Sequence, residues 1–158
     1  MTTTLNDACD YIISRIRQAG GELNLLKLQK LLYYVQAWHL AFYGRALFPG
    51  RFQAWVHGPV SREVYDRFRA TKMLYSIVSD ADITPGFDER RIPDADRHHI
   101  NTILETYAPY SAIQLEEMTH LEEPWIKARG NTAPSERCET LIDEQTMATY
   151  YASRLKQQ

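Results

Sequence analysis

The segment NLLKLQKLLYYVQAWHLAFYG, residues 24–44, constrains the fold more than any other stretch of this chain. It contains no helix breaker before Gly44, so it predicts one long helix from about Asn24 to Tyr43. At ~100° of rotation per residue, Leu25, Leu28, Leu31, Leu32, Val35, Trp38 and Phe42 share one broad apolar stripe. Leu26, Tyr33, Ala37 and Leu40 make a second stripe on the far side. Polar seams run between them, one carrying Lys27 and Lys30 and the other Gln29 and Gln36, whose spacing makes them nearly eclipsed. A helix with two apolar stripes must be covered on two sides. It is therefore expected to be the central element around which the others assemble.

The flanking sequence supplies candidates for that cover. Leu5, Cys9, Ile12, Ile13 and Ile16 recur at helical spacing, and Gly20-Gly21 can end that first helix. GRALFPGRFQAW is a Gly/Pro-punctuated connection with a short strand expected at Arg51 to Val56. Ser61 suits an N-cap, followed by Glu63 in the first turn and Val64, Tyr65 and Phe68 as a third helix. Residues 73–95 read as a short strand near Tyr75 to Val78 and then loop. Ile100, Ile103, Leu104 and Tyr107 mark a fourth helix, and Ser111 with Gln114 forms a capping box for a fifth with Leu115 and Met118 inward. Pro124 suits the first turn of a short helix. Asp143 caps the last one, in which Met147, Tyr150, Tyr151 and Leu155 continue a buried face.

These elements predict a mainly α, compact single-domain helical bundle around a long central helix (about 24–43), with room for a small β-hairpin. A chain of 158 residues with 44% hydrophobic content and ten tyrosines can fill one core. Its formal charge of −2 gives no global attraction to nucleic acid or anionic lipid. The amino terminus carries no secretory signal pattern, and the longest uncharged run is too short to span a bilayer. Cys9 and Cys138, without a CxxC pair, fit a reducing compartment. A cytoplasmic protein without membrane association is expected.

Two constellations invite a chemical reading. In WVHGPVSREVY, Pro59 restrains Gly58 and forces the chain to bend, so each residue of the corner has an architectural use. His57 could be chemical, but a turn histidine bonded to backbone or to a neighbouring helix is the weightier account, since no activating partner is visible. In THLEEPWIKAR, His120 and Glu122 could form an acid/base or metal pair, but no third ligand is apparent. His39 on the apolar stripe reads as a core histidine, and adjacent His98 and His99 face different directions. Arg62, Arg69 and Lys72 give either a solvated basic face or a docking site for an acidic partner. Phosphate loops, dinucleotide fingerprints, HExxH and GxSxG are missing. No catalytic residue, metal or cofactor is assigned.

In combination, KLQKLLYY, the W-x-x-GPV corner, TH-x-E-x-PW and the terminal LIDEQTMATYY resemble the Panacea domain family, the SocA-like group of bacterial and phage-associated antitoxins. The resemblance runs from about Leu5 to Tyr151 and leaves no spare segment for a DNA-binding region. It implies a helical domain, here 1–158, that binds and neutralises a protein toxin from a neighbouring gene, or delivers that toxin to a protease. On that expectation Trp55, His57, Gly58, Pro59, Arg62, His120, Glu122 and Trp125 are the candidate partner-binding residues. The competing expectations are a nucleic-acid-binding regulator using Arg62, Arg69 and Lys72, and an enzyme in which His57, His120 and Glu122 converge. Oligomeric state is not legible.

Overall fold

A computed structural model describes residues 2–155. The long helix α2 spans Leu25–Tyr43, and 14 of its 19 residues are buried, which happens only when neighbours close around most of the circumference. Asn24 caps it by accepting from the Lys27 N–H, and Gly44, at φ +70°, ends it in the left-handed conformation. Helices α1 (Leu5–Gln18), α4 (Asp94–Tyr107), α5 (Ala112–His120) and α7 (Glu144–Leu155) all pack on it, α7 most extensively. Two further helices, α3 (Arg62–Phe68) and α6 (Glu123–Arg129), complete a mainly α fold. No described helix is long and apolar enough to cross a membrane.

The caps anticipated from sequence are formed. Ser61 accepts from the Val64 N–H, Ser111 and Gln114 make a reciprocal capping box, Pro124 lies in the first turn of α6, and Asp143 accepts from the Thr146 N–H. The α1 face of Leu5, Cys9, Ile12, Ile13 and Ile16 is buried, and both cysteines are free. Three expectations change. Helix α4 begins at Asp94, nearly two turns before the apolar spacing announces it, because its first turn carries no apolar stripe: Asp94 is exposed and Asp96 accepts from the buried Thr3 hydroxyl. Phe42 and Leu155, expected in buried faces, are 47% and 38% exposed.

The third change is at Tyr75 to Val78, which forms no strand of its own. It makes a single antiparallel bridge, Asn24 with Ile77, while the carbonyls of Ser76 and Leu74 accept the N–H groups of Leu25 and Leu26. The first-turn donors of α2 are thus satisfied by a distant loop, which sequence spacing cannot report.

A two-stranded antiparallel hairpin, β1 (Phe52–Trp55) and β2 (Gly58–Ser61), pairs Phe52 with Ser61 and Trp55 with Gly58 around a Val56-His57 turn. Leu141 adds an isolated bridge to Gln53 on the far edge of β1. The seam glutamines of α2 tie this region down. Gln29 Oε1 accepts from the Ser61 N–H (2.9 Å) and its Nε2 donates to the Ser61 carbonyl (3.1 Å). Gln36 does the same for the preceding loop, accepting from the N–H groups of Leu47 and Phe48 and donating to the Phe48 carbonyl. Each buried amide replaces the backbone partner that a strand or loop would otherwise lack.

Candidate functional site

The three sequence motifs meet around one buried amine. Lys30, placed by its spacing on a polar seam of α2, is fully buried, and its Nζ donates to the Pro59 carbonyl at 2.9 Å. Burial lowers its pKa from the usual 10.5 to about 7, with the Glu116 carboxylate opposing that fall. Gly58, at φ +98°, lies directly over the lysine: a Cβ there would stand 2.6 Å from Lys30 Cε and 2.8 Å from Thr119 Oγ1. Thr119 is itself buried and donates to the Glu116 carbonyl at 2.7 Å. KLQKLLYY, GPV and the Thr-His pair are therefore one packed joint between α2, β2 and α5.

His57 sits in the hairpin turn, exposed, with Nδ1 2.7 Å from Glu116 Oε1. It fastens the turn to α5, so a neighbouring helix is indeed its partner. The Trp125 indole is buried and donates to the Trp55 carbonyl at 2.8 Å; its ring stacks on His120 at 4.2 Å and carries the Arg129 guanidinium 5.0 Å from its centre. Arg129, also buried, donates to the carbonyls of Ala54, Ala133 and Glu136, locking the 133–136 turn against β1. His120 Nε2 is buried without a hydrogen-bond partner among the described residues. Burial lowers the His120 pKa, so its ring is neutral at pH 7.

Glu122 belongs to a different environment. Its Oε1 accepts from the hydroxyls of Tyr34 (2.8 Å) and Tyr151 (2.7 Å), with the Tyr33 hydroxyl 3.1 Å from that of Tyr151 and Arg154 3.8 Å from Oε2. Around it Tyr34 and Tyr107 stack at 4.1 Å. Burial raises the Glu122 pKa, while the two tyrosine hydrogen bonds and Arg154 oppose the rise. The carboxylate is thus the polar anchor of an aromatic core joining α2, α6 and α7. Replacing Glu122 with alanine is expected to remove about 3–5 kcal/mol of stability, because two buried tyrosine hydroxyls lose their acceptor. Urea unfolding measures it, and a loss below about 1 kcal/mol would show that the anchor is dispensable.

The three groups of the enzyme expectation do not form one hydrogen-bonded set among the described residues: His57 engages Glu116, His120 stacks on Trp125, and Glu122 is held by tyrosines. Nor do three or more His, Cys, Asp or Glu side chains converge as a metal site among those residues. The basic face is also altered by folding. Arg62 lies 3.4 Å from both Asp66 and Glu139, Arg69 lies 3.6 Å from Asp66, and Lys72 lies 3.3 Å from Asp82. Each cation has an acid beside it, which removes the unbalanced positive potential that phosphate binding needs.

Of the expected contact residues, His57 is exposed and Trp55 and Arg62 are half-buried at the surface. The Trp55 ring meets Tyr65 edge-on at 5.0 Å, its Nε1 donates to Gln53, and the Arg62 guanidinium lies 5.9 and 5.4 Å from the two ring centres. Gly58, Pro59, Glu122 and Trp125 are buried beneath this face or beside it. Lys30 and Glu116 are the participants that sequence reasoning missed. The available signal was the double stripe itself: when both sides of a helix are covered, a narrow seam between them is also interior.

The model for "Antitoxin SocA-like, Panacea domain" matches residues 28–126, a segment that holds Lys30, Gly58, Pro59, Glu116, Thr119, His120, Glu122 and Trp125. Antitoxin SocA of Caulobacter vibrioides (strain NA1000 / CB15N) is 39% identical over 106 residues, covering 63% of this chain and 56% of that protein, so only about half of the relative's length is represented. No solved structure matches the chain. With the family pattern spanning more than half of its residues and including the whole Lys30 joint, the chain belongs to the SocA-like Panacea domain family.

Proposed function

We propose that this chain is an antitoxin, acting as one domain across residues 1–158, which neutralises a toxin encoded by a neighbouring gene through direct protein binding. The observation that carries the reading is the family match over residues 28–126 together with the 39% identity to antitoxin SocA. The geometry supports binding over chemistry. The motif residues are spent on holding shape: Lys30 and Gly58 fix the hairpin, Trp125 fastens it, and Glu122 organises the tyrosine core. What they present outward is the Trp55, His57 and Arg62 face, rich in the aromatic and arginine side chains that dominate interface energetics. His120 and Pro59 support that face from behind. No cofactor is invoked.

Co-expression is the test. The adjacent open reading frame, induced alone, should arrest growth, and this chain supplied in trans should restore it. Trp55→Ala with Arg62→Ala should weaken complex formation by about tenfold to a thousandfold, as loss of two anchor residues does. Unrelieved killing by wild-type protein would overturn the proposal. The toxin's half-life separates the two modes: delivery to a protease shortens it in the presence of this chain, whereas simple blocking leaves it unchanged or longer.

A further inference from the structure

Residues 140–142 run antiparallel along the far edge of β1. The Ala54 N–H donates to the Thr140 carbonyl at 2.9 Å, the Ile142 N–H donates to the Phe52 carbonyl at 2.8 Å, and Leu141 opposes Gln53 between them. In such a ladder the residue between two inward bonds points its own N–H and C=O the other way. The outward pair on Leu141 has no partner among the described residues, and its side chain is 48% exposed. Open edges are commonly blunted by a charge or a proline, but a leucine stands at this one. Directly opposed residues share a face, and Gln53 accepts from the Trp55 indole, so Leu141 continues the Trp55 surface. Beside the same edge, Pro124, Lys127 and Ala128 of α6 and Thr140 line a cleft of about 240 Å³.

We propose that an extended segment of the toxin adds to this edge as a strand, one of its residues exchanging both backbone hydrogen bonds with Leu141. The free groups select the occupant. An unpaired N–H and C=O on one edge residue are matched by extended backbone, whereas a helix has its backbone groups bonded internally and would leave both unmet. Side chains of an added strand alternate: those on one side extend along Leu141 and Trp55, and those on the other enter the α6 cleft. Backbone pairing supplies affinity that depends little on the partner's sequence, and the cleft supplies the selection. The inference rests on the antitoxin reading and names how the same partner is held beside the Trp55 face.

Amide hydrogen exchange in the wild-type protein reads the pairing. With the adjacent gene's product bound, the Leu141 N–H should exchange about tenfold or more slowly than in the free chain, as an amide newly placed in a ladder does. An unchanged Leu141 amide in a complex that does form would overturn the pairing and leave the antitoxin reading standing, whereas absence of any complex would overturn both. Slowing that appears without the toxin and grows with protein concentration would give the edge to a second copy of this chain and overturn the proposal. Leu141→Pro deletes a donor that has no partner among the described residues, so melting should shift by only a few degrees while binding weakens about tenfold. Leu141→Ala keeps both backbone groups and should cost less; equal losses would show that side-chain contact, and not strand pairing, holds the toxin.

Discussion

Gly58→Ala is expected to lower the melting temperature by roughly 10 °C, with about 2–5 kcal/mol lost, at ~2–4 °C per kcal/mol for a chain of this size. Two effects add. An L side chain at φ +98° is strained by about 1–2 kcal/mol, and a new Cβ in contact with Lys30 Cε and Thr119 Oγ1 overpacks the joint by about 1–3 kcal/mol. The end of a lysine side chain usually moves aside cheaply, but this one is enclosed and tied to the Pro59 carbonyl. Gly86→Ala is the control, since Gly86 has φ +81° and nothing within 4 Å of its added Cβ. It should lose only the backbone part. If thermal unfolding followed by circular dichroism shows equal losses at the two glycines, the packed joint is not what fixes Gly58.

Lys30 carries the second large effect, in pH dependence. Its folded pKa of about 7 lies below the usual 10.5, so the folded state binds fewer protons than the unfolded one between those values. The stability this implies is fully present above pH 10.5 and is lost as pH falls toward 7. At about 1.4 kcal/mol for each pH unit of that window, the change is on the order of 5 kcal/mol. Lys30→Met keeps the volume and removes the titration. Urea unfolding at a series of pH values should give a wild type that gains on the methionine variant as pH rises from 7 to 10, with the variant equal or better near pH 7, where an enclosed ammonium is a burden. Parallel profiles would mean that the ammonium is not desolvated. Lys30→Ala should be the weaker variant at every pH, because it leaves a cavity beside Gly58.

The elements were legible because they are local. Ser61, Ser111, Asp143 and Pro124 act on groups within one turn of themselves, so spacing alone identifies them. The segment Tyr75 to Val78 was misread for the opposite reason: its alternation is real, but its backbone is committed to residues about fifty earlier in the chain, the Ser76 carbonyl accepting from the Leu25 N–H and the Val78 N–H donating to the Leu23 carbonyl. His57 shows the same division at a single residue. That it is a turn histidine follows from the Gly-Pro context, whereas the choice of a neighbouring helix over backbone as its partner, and of Glu116 in particular, is made only by the contact between hairpin and α5.

By itself, then, the amino-acid pattern determined that a rod with two greasy sides lies at the centre and where α3, α5, α6 and α7 start, since periodicity and capping depend only on neighbours along the chain. Only the tertiary arrangement decided that Lys30 is sealed inside, that Glu122 is a guest of tyrosines, that the arginines of α3 are neutralised, and that Phe42 and Leu155 are left uncovered. Burial and pairing are properties of what approaches from elsewhere, and the free energy of a charge or an apolar surface is set by that company.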